Sequence, residues 1–268
     1  MTTVENQAAP AALTERRGNV LVITINRPEA RNAVNGAVSA AVGDALQSAQ
    51  DDPDVRAIVI TGAGDKSFCA GADLKAIGRG ENLMHPVHPE WGFAGYVRHH
   101  VDKPTIAAVN GTALGGGSEL VLASDLVVAE ESAVLGLPEV KRGLIAGAGG
   151  VFRLVDQLPR KVAMELIVTG DPITATDAKN WGLINQVVPD GTALTAALAL
   201  AERITANAPL SVWASKRVAQ GVDAGVIARE EPDWDRTESE FGTLLSSEDA
   251  MEGPRAFAEK RAPIWKAR

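Results

Sequence analysis

The chain alternates between short unbroken apolar runs and longer stretches in which apolar residues recur every third or fourth position. VLVITIN, from Val20 to Asn26, is rich in β-branched residues and bounded by Gly18-Asn19 and Arg27-Pro28, which predicts a strand. From Asn32 to Asp51, residues Ala37, Val38, Ala41, Val42 and Leu46 fall at helical spacing before Asp52-Pro53 stops the run, which predicts a helix. RAIVITG (Arg56 to Gly62) and PTIAAVN (Pro104 to Asn110) predict two further buried strands, each leading into a glycine-containing segment. Continuous apolar strands separated by a helix point to parallel pairing with right-handed crossovers.

The alternation continues with a helix from about Gly116 to Ser124, a strand at Leu126 to Glu130 and a short strand at Ala133 to Gly136. Beyond Gly150 the β signal fades. Residues 151–180 read as helices with turns at Leu158-Pro159 and Gly170-Asp171-Pro172, and a last short strand, Leu183 to Val188, ends at Pro189. From Thr192 helices dominate, broken at Asn207-Ala208-Pro209 and near Pro232 and Pro254, while the start through about Thr14 reads as loose. The reading is an α/β core over residues 1–190 that carries the site, then a helical region over 191–268 that packs on its own chain or on a neighbour.

Composition sharpens this picture. With 268 residues, 46% of them hydrophobic, the chain can bury about 75% of its unfolded surface, so general disorder is excluded. A lone cysteine, Cys69, rules out an intramolecular disulfide and a thiolate-rich metal site, and suits a reducing compartment. No apolar run is long enough to span a bilayer, and MTTVENQAAP has no basic region ahead of an apolar stretch, so a cytoplasmic location is expected. The net charge of −8 argues against nucleic acid as a partner. Residues 228–261 hold 10 acidic and 5 basic side chains, five of those eight negative charges, and read as a solvated helical face.

Chemistry is expected where strands end and glycines let backbone amides face a ligand. Two segments qualify: Gly62 to Lys75, containing FCAGADLK, and Gly111 to Leu120, GTALGGGSEL. GAGDKS lacks the glycines of a P-loop, and Leu120 stands where both a dinucleotide fingerprint and a nucleophile elbow need glycine. The three glycines at 115–117 do open a helix, whose unpaired amides and positive dipole end can polarise an anionic oxygen; equally, they could merely allow close packing. Glu119 follows in an otherwise apolar first turn, and Glu139 lies in GLPEVKRG ahead of the glycine-rich run 143–150. Two such carboxyls form an acid/base pair if the fold joins them.

FCAGADLK, AAVNGTALGGGSELVLASDLVVA, LGLPEVKRGLIAGAGGVFRL and LIVTGDPITATDAKNWGLINQVVPD closely resemble the enoyl-CoA hydratase (crotonase) family, in order and spacing, from about Ala11 to Arg261. The resemblance implies a spiral of ββα turns with a C-terminal helical region used for trimerisation, as a homotrimer or a hexamer of two trimers. It implies an oxyanion hole from the backbone amides of Ala72 and Gly116. By the same resemblance Glu119 is the base toward water and Glu139 the proton donor at the α carbon. Having both glutamates favours hydration of a trans-2-enoyl-CoA to a 3-hydroxyacyl-CoA over isomerisation, other enolate chemistry or a non-catalytic acyl-CoA binder.

For coenzyme A, which is part of the substrate rather than a cofactor, the resemblance points to Ala33, Ala70, Asp73 and Lys75. Where the family often has lysine this chain has Glu29, so a cation for the CoA phosphate is expected from Arg31 or from Lys260 of an adjacent subunit. All four histidines, His85, His88, His99 and His100, fall beside Trp91, Phe93 and Tyr96. Their spacing matches no metal-ligand pattern, so no metal is expected, and Trp91 and Phe93 are read as an aromatic wall for the acyl chain.

Overall fold

The computed structural model describes residues 9–268. β1 (Ala12–Arg17) and β2 (Val20–Ile25) form an antiparallel hairpin, with Ala12 opposite Ile25 and Arg17 opposite Val20. Residue Gly18, at φ +59°, supplies the left-handed turn. β1 therefore takes in Ala12 to Thr14, the last residues of the start expected to be loose. All of it after Ala12 is exposed, so an edge strand made only by pairing leaves no apolar signature. The next helix, α1 (Gly36–Asp51), also begins later than its apolar spacing suggested. Arg31 and Asn32 are both left-handed, and the Asn35 side chain caps the helix by accepting the Val38 amide at 3.1 Å.

Three structural turns follow. The first is β3 (Ala57–Gly62), β4 (Ser67–Cys69) and α2 (Leu74–Gly78); the second is β5 (Thr105–Val109), β6 (Thr112–Leu114) and α3 (Gly116–Ala123). The third is β7 (Leu126–Glu130) and β8 (Val134–Gly136), leading to α4 (Gly150–Gln157) and α5 (Arg160–Thr169). After them come β9 (Ile173–Thr174), α6 (Ala175–Asn180) and β10 (Gln186–Val188), the last strand starting later than the expected Leu183. Each turn gives its first strand to a six-stranded sheet, β1-β2-β3-β5-β7-β10, and its second to a four-stranded sheet, β4-β6-β8-β9. From β2 to β10 the large sheet is parallel.

Side-chain alternation explains why these strands read as unbroken apolar runs. Ile58 and Ile60 of β3 point into the main core with α1, whereas Ala57 and Val59 point to the opposite face, which α7 (Ala193–Thr205) covers with Ala193, Ala197 and Ala201. Both faces are dry, so neither needs polar residues. The helical region expected from residue 191 thus begins with a helix that completes the core.

Polar and packing contacts dock the remainder, which is α8 (Pro209–Gln220), the small hairpin β11 (Val222–Asp223) and β12 (Val226–Ile227), α9 (Glu231–Leu245) and α10 (Glu248–Ala258). Lys216 and Gln220 of α8 reach Asp125 at 2.7 and 2.6 Å. Glu230, just before α9, forms a buried pair with Arg153 at 2.6 Å. On α10, Gly253 lies so close to the Arg142 carbonyl that a Cβ would overlap it. Pro254 is therefore inside α10 rather than at a break, since burial of Gly253 and Ala256 holds the helix despite one lost amide. The acidic segment is likewise not wholly solvated: besides Glu230, Glu231 and Glu238 pair with Arg98.

Candidate active site

The two glycine segments meet. β4 and β6 are adjacent and parallel, so the loops leaving them run side by side. At Gly71, which is left-handed at φ +89°, a Cβ would sit 3.0 Å from the Gly116 amide nitrogen. A Cβ on Gly117 would overlap the Cys69 carbonyl oxygen, and one on Gly116 would overlap the Phe93 ring. The glycines at 115–117 thus serve close packing, and the same packing brings the Ala72 and Gly116 amides to neighbouring positions. Gly116 opens α3, where an amide has no partner within its own helix. Among the described residues, neither the Ala72 nor the Gly116 amide donates to a protein oxygen.

Glu119 is 3% exposed. Its Oε1 accepts two main-chain amides, from Ala148 at 2.7 Å and Gly150 at 2.9 Å, at the start of α4. Burial raises its carboxyl well above the ordinary range, the nearby Glu139 charge adds to the rise, and the two amides oppose it. Glu139 is placed by a short 3-10 turn, Pro138–Arg142, directly after β8. Its Oε1 lies 2.8 Å from where a Cβ of Gly115 would be, while its buried Oε2 has no hydrogen-bond partner in the protein. Burial pushes this carboxyl up to about 7. The fold therefore brings Glu139 beside Gly115 and within charge-interaction distance of Glu119.

Ala33 and Ala70 also come together. Val34 donates to the Gly71 carbonyl at 2.8 Å, Asp73 donates to the Val34 carbonyl at 2.9 Å, and Ala70 donates to the Arg31 carbonyl at 3.0 Å. Asp73 is committed within the protein: it caps α2 through the Lys75 and Ala76 amides and pairs with Arg27 at 2.9 Å. Lys75 and Arg31 are exposed beside this strip. The buried Asn32 binds the Ala63 and Ser67 carbonyls and the Arg27 amide, pinning the strip to the end of β3.

Of the two aromatics expected in an acyl wall, the structure brings only Phe93 to the site. Trp91 stacks between His99 at 3.9 Å and His88 at 4.2 Å, against Gly43 of α1. The Nδ1 of His85 accepts the Val87 and His88 amides, and its Nε2 faces Asp44. Burial drives His99 down to about 4, so it is neutral in this stack. Among the described residues no group of three or more His, Cys, Asp or Glu could hold a metal ion. Burial pushes the Cys69 thiol up to about 12, which leaves it an unreactive packing residue beside the loop.

The sequence reading missed the amide cradle of Ala148 and Gly150, although the run GLIAGAGG ahead of a helix was its signal. It also missed Arg27 and Asn32, which look like surface polar residues until the fold half-buries the first and buries the second.

Strands feeding two sheets in turn, with ten helices among the described residues, define a crotonase-fold enzyme. The sequence profile of the enoyl-CoA hydratase/isomerase family matches residues 15–268, and the chain belongs to that family. A carnitinyl-CoA dehydratase from Salmonella typhi is 43% identical over 266 residues, covering 94% of this chain and 97% of that protein. The crystal structure of a carnitinyl-CoA hydratase from Mycobacterium avium superposes with a TM-score of 0.97 at 77% identity, covering 97% of this chain and all of that one (100%). An enoyl-CoA hydratase from Mycobacterium tuberculosis H37Rv is also similar, with a TM-score of 0.75, 46% identity and coverage of 97% and 100%. Among the described residues no helix is long and apolar enough to cross a membrane.

Proposed function

We propose that the chain catalyses reversible hydration and dehydration of an acyl-CoA, adding water across the C2–C3 double bond of a 2-enoyl-CoA, with carnitinyl-CoA as its 3-hydroxyacyl partner. The observation that carries this reading is that the Glu139 carboxyl lies against Gly115 and close enough to the buried Glu119 carboxyl, held by the Ala148 and Gly150 amides, for their charges to interact. Carnitinyl-CoA follows from full-length similarity to proteins named for that substrate.

In the hydration direction the thioester oxygen lies against the Ala72 and Gly116 amides, which stabilise the negative charge it gains. Each such preorganised donor is worth about 3 to 4 kcal/mol of barrier. Glu119, oriented by two amides on one oxygen and acting in its ionised form, takes a proton from water as the oxygen bonds to C3. Glu139, the proton donor by the family resemblance, delivers its proton to C2 as the enolate collapses. Dehydration runs the same transfers backwards, Glu139 removing the C2 proton and Glu119 protonating the departing hydroxide. Coenzyme A enters with the substrate, and the strip formed by Ala33, Ala70 and the first turn of α2 is its proposed resting place. A homotrimer or hexamer in the cytoplasm is part of the same proposal.

Purified protein should change the ultraviolet absorbance of the conjugated thioester with crotonobetainyl-CoA, the dehydration product of carnitinyl-CoA, faster than with crotonyl-CoA. Turnover of crotonyl-CoA alone would reassign the acyl group. Double-bond migration without hydration would make the chain an isomerase, and binding without either reaction would make it a non-catalytic acyl-CoA binder.

A further inference from the structure

The peptide run 148–150 has two sides. One side donates its amides to Glu119. The other is pressed against Arg153: at Gly149, left-handed at φ +93°, a Cβ would sit 3.1 Å from Arg153 Nη1, 2.9 Å from the Trp234 ring and 3.2 Å from the Phe152 ring. Arg153 also donates its own amide to the Gly149 carbonyl at 3.1 Å.

Arg153 is itself held from the C-terminal region. Its Nε and Nη2 form a fork onto Glu230 at 3.1 and 2.6 Å, and Nη2 reaches the Val97 carbonyl at 2.7 Å. Both partners are more than nine-tenths buried. The guanidinium lies 5.3 Å from the centre of the Trp234 ring of α9, whose other approach is taken by Arg98 at 4.8 Å. Arg98 in turn pairs with Glu231 and Glu238. A chain of contacts therefore runs from α9 through Arg153 and Gly149 to the Glu119 carboxylate.

We propose that Arg153 and Glu230 are a positioning pair for Glu119: the pair fixes the Gly149 peptide, and hence the two amides that orient the carboxylate, while presenting a compensated charge behind it. The proposal deepens the hydratase reading and rests on it for the role of Glu119. The charged groups acting on Glu119 are Glu139 from the 3-10 turn and Arg153 from α4, with Glu230 acting through Arg153.

Removing the two charges in sequence separates this role from simple loosening. Glu230→Gln leaves the Arg153 charge uncompensated, so the pKa of Glu119 should fall and the acid limb of the kcat/KM profile should move to lower pH by roughly half a unit or more. The double variant Arg153→Met with Glu230→Gln removes both charges, so the limb should move to higher pH. In both, kcat should drop about 10- to 100-fold with KM changed far less, because orientation and not binding is lost.

Infrared pH titration of the Glu119 carboxyl band, assigned by its absence in Glu119→Gln, reads the same shifts without any turnover. An inactive wild-type protein would defeat the hydratase reading, while opposite infrared shifts in the two variants would still uphold the positioning pair. Unchanged titration in both, or shifts in the same direction, would overturn it. If Glu230→Gln does not fold, Arg153→Lys, which keeps the charge and loses the fork, decides the matter: kcat must fall with the titration nearly unmoved, and wild-type kcat would sink the proposal.

Discussion

The Gly150 amide donates to the Glu119 carboxylate at 2.9 Å across a sequence separation of 31 residues. α3 supplies the acid and the start of α4 supplies the donor, so one buried oxygen is fixed by main chain that has no side chain to move. This arrangement opposes, without cancelling, the desolvation and the Glu139 charge that together push the Glu119 carboxyl up to about 8. The two carboxyls differ in what holds them, since Glu139 Oε2 lacks any such partner in the protein.

Glu119→Gln and Glu139→Gln should each lower kcat by about 100- to 10,000-fold. Glutamine keeps the size of the side chain, and at residue 119 it still offers an oxygen to the two amides. Affinity for the unreactive butyryl-CoA, measured by calorimetry, should stay within a few-fold of wild type. Near-normal turnover in either variant would remove that residue from the reaction.

Gly116→Ala should cost about 100- to 1,000-fold in kcat. The new methyl overlaps the Phe93 ring, so either the ring or the Gly116 amide must shift. Adding Phe93→Leu should restore at least part of the rate by giving the methyl room. If the second substitution brings no recovery, the loss does not come from this contact.

Stability should fall as pH rises across the range in which Glu139 ionises. Its carboxyl is raised from 4.5 to about 7, so between those values the folded state binds more protons than the unfolded chain. The stabilisation is complete below the lower value and is lost as pH climbs through the upper one. The slope for one such group approaches about 1.4 kcal/mol per pH unit. Glu139→Gln should therefore flatten the dependence of urea unfolding on pH between pH 5 and pH 8, and an unaltered slope would count against a raised carboxyl at this position.

Gly253→Ala should destabilise the protein by about 1 to 3 kcal/mol in urea unfolding, because its Cβ has no space beside the Arg142 carbonyl. Since Arg142 ends the turn that carries Glu139, kcat should fall as well. Stability and kcat both equal to wild type would show that α10 does not rest on this turn as described.

The sequence by itself determined the dry parallel strands, since residues alternating toward two apolar faces leave an unbroken run that can be read locally. It also marked the glycine loops and the two glutamates, and a resemblance over most of the chain supplied the expected spiral. Local pattern says how a residue faces its own helix or strand, but not which distant segment meets it. Trp91 and Phe93 stand two positions apart in one aromatic stretch, yet Trp91 joins a histidine stack on α1 while Phe93 reaches Gly116. Asp73 is occupied with capping α2 and pairing Arg27, which no spacing announces. Glu230 lies in an acidic run that reads as solvated, and only the docking of α9 buries it against Arg153. Even the hydrogen bonds that fix Glu119 exist only because the crossovers bring α3 and the start of α4 together, a decision made by tertiary packing.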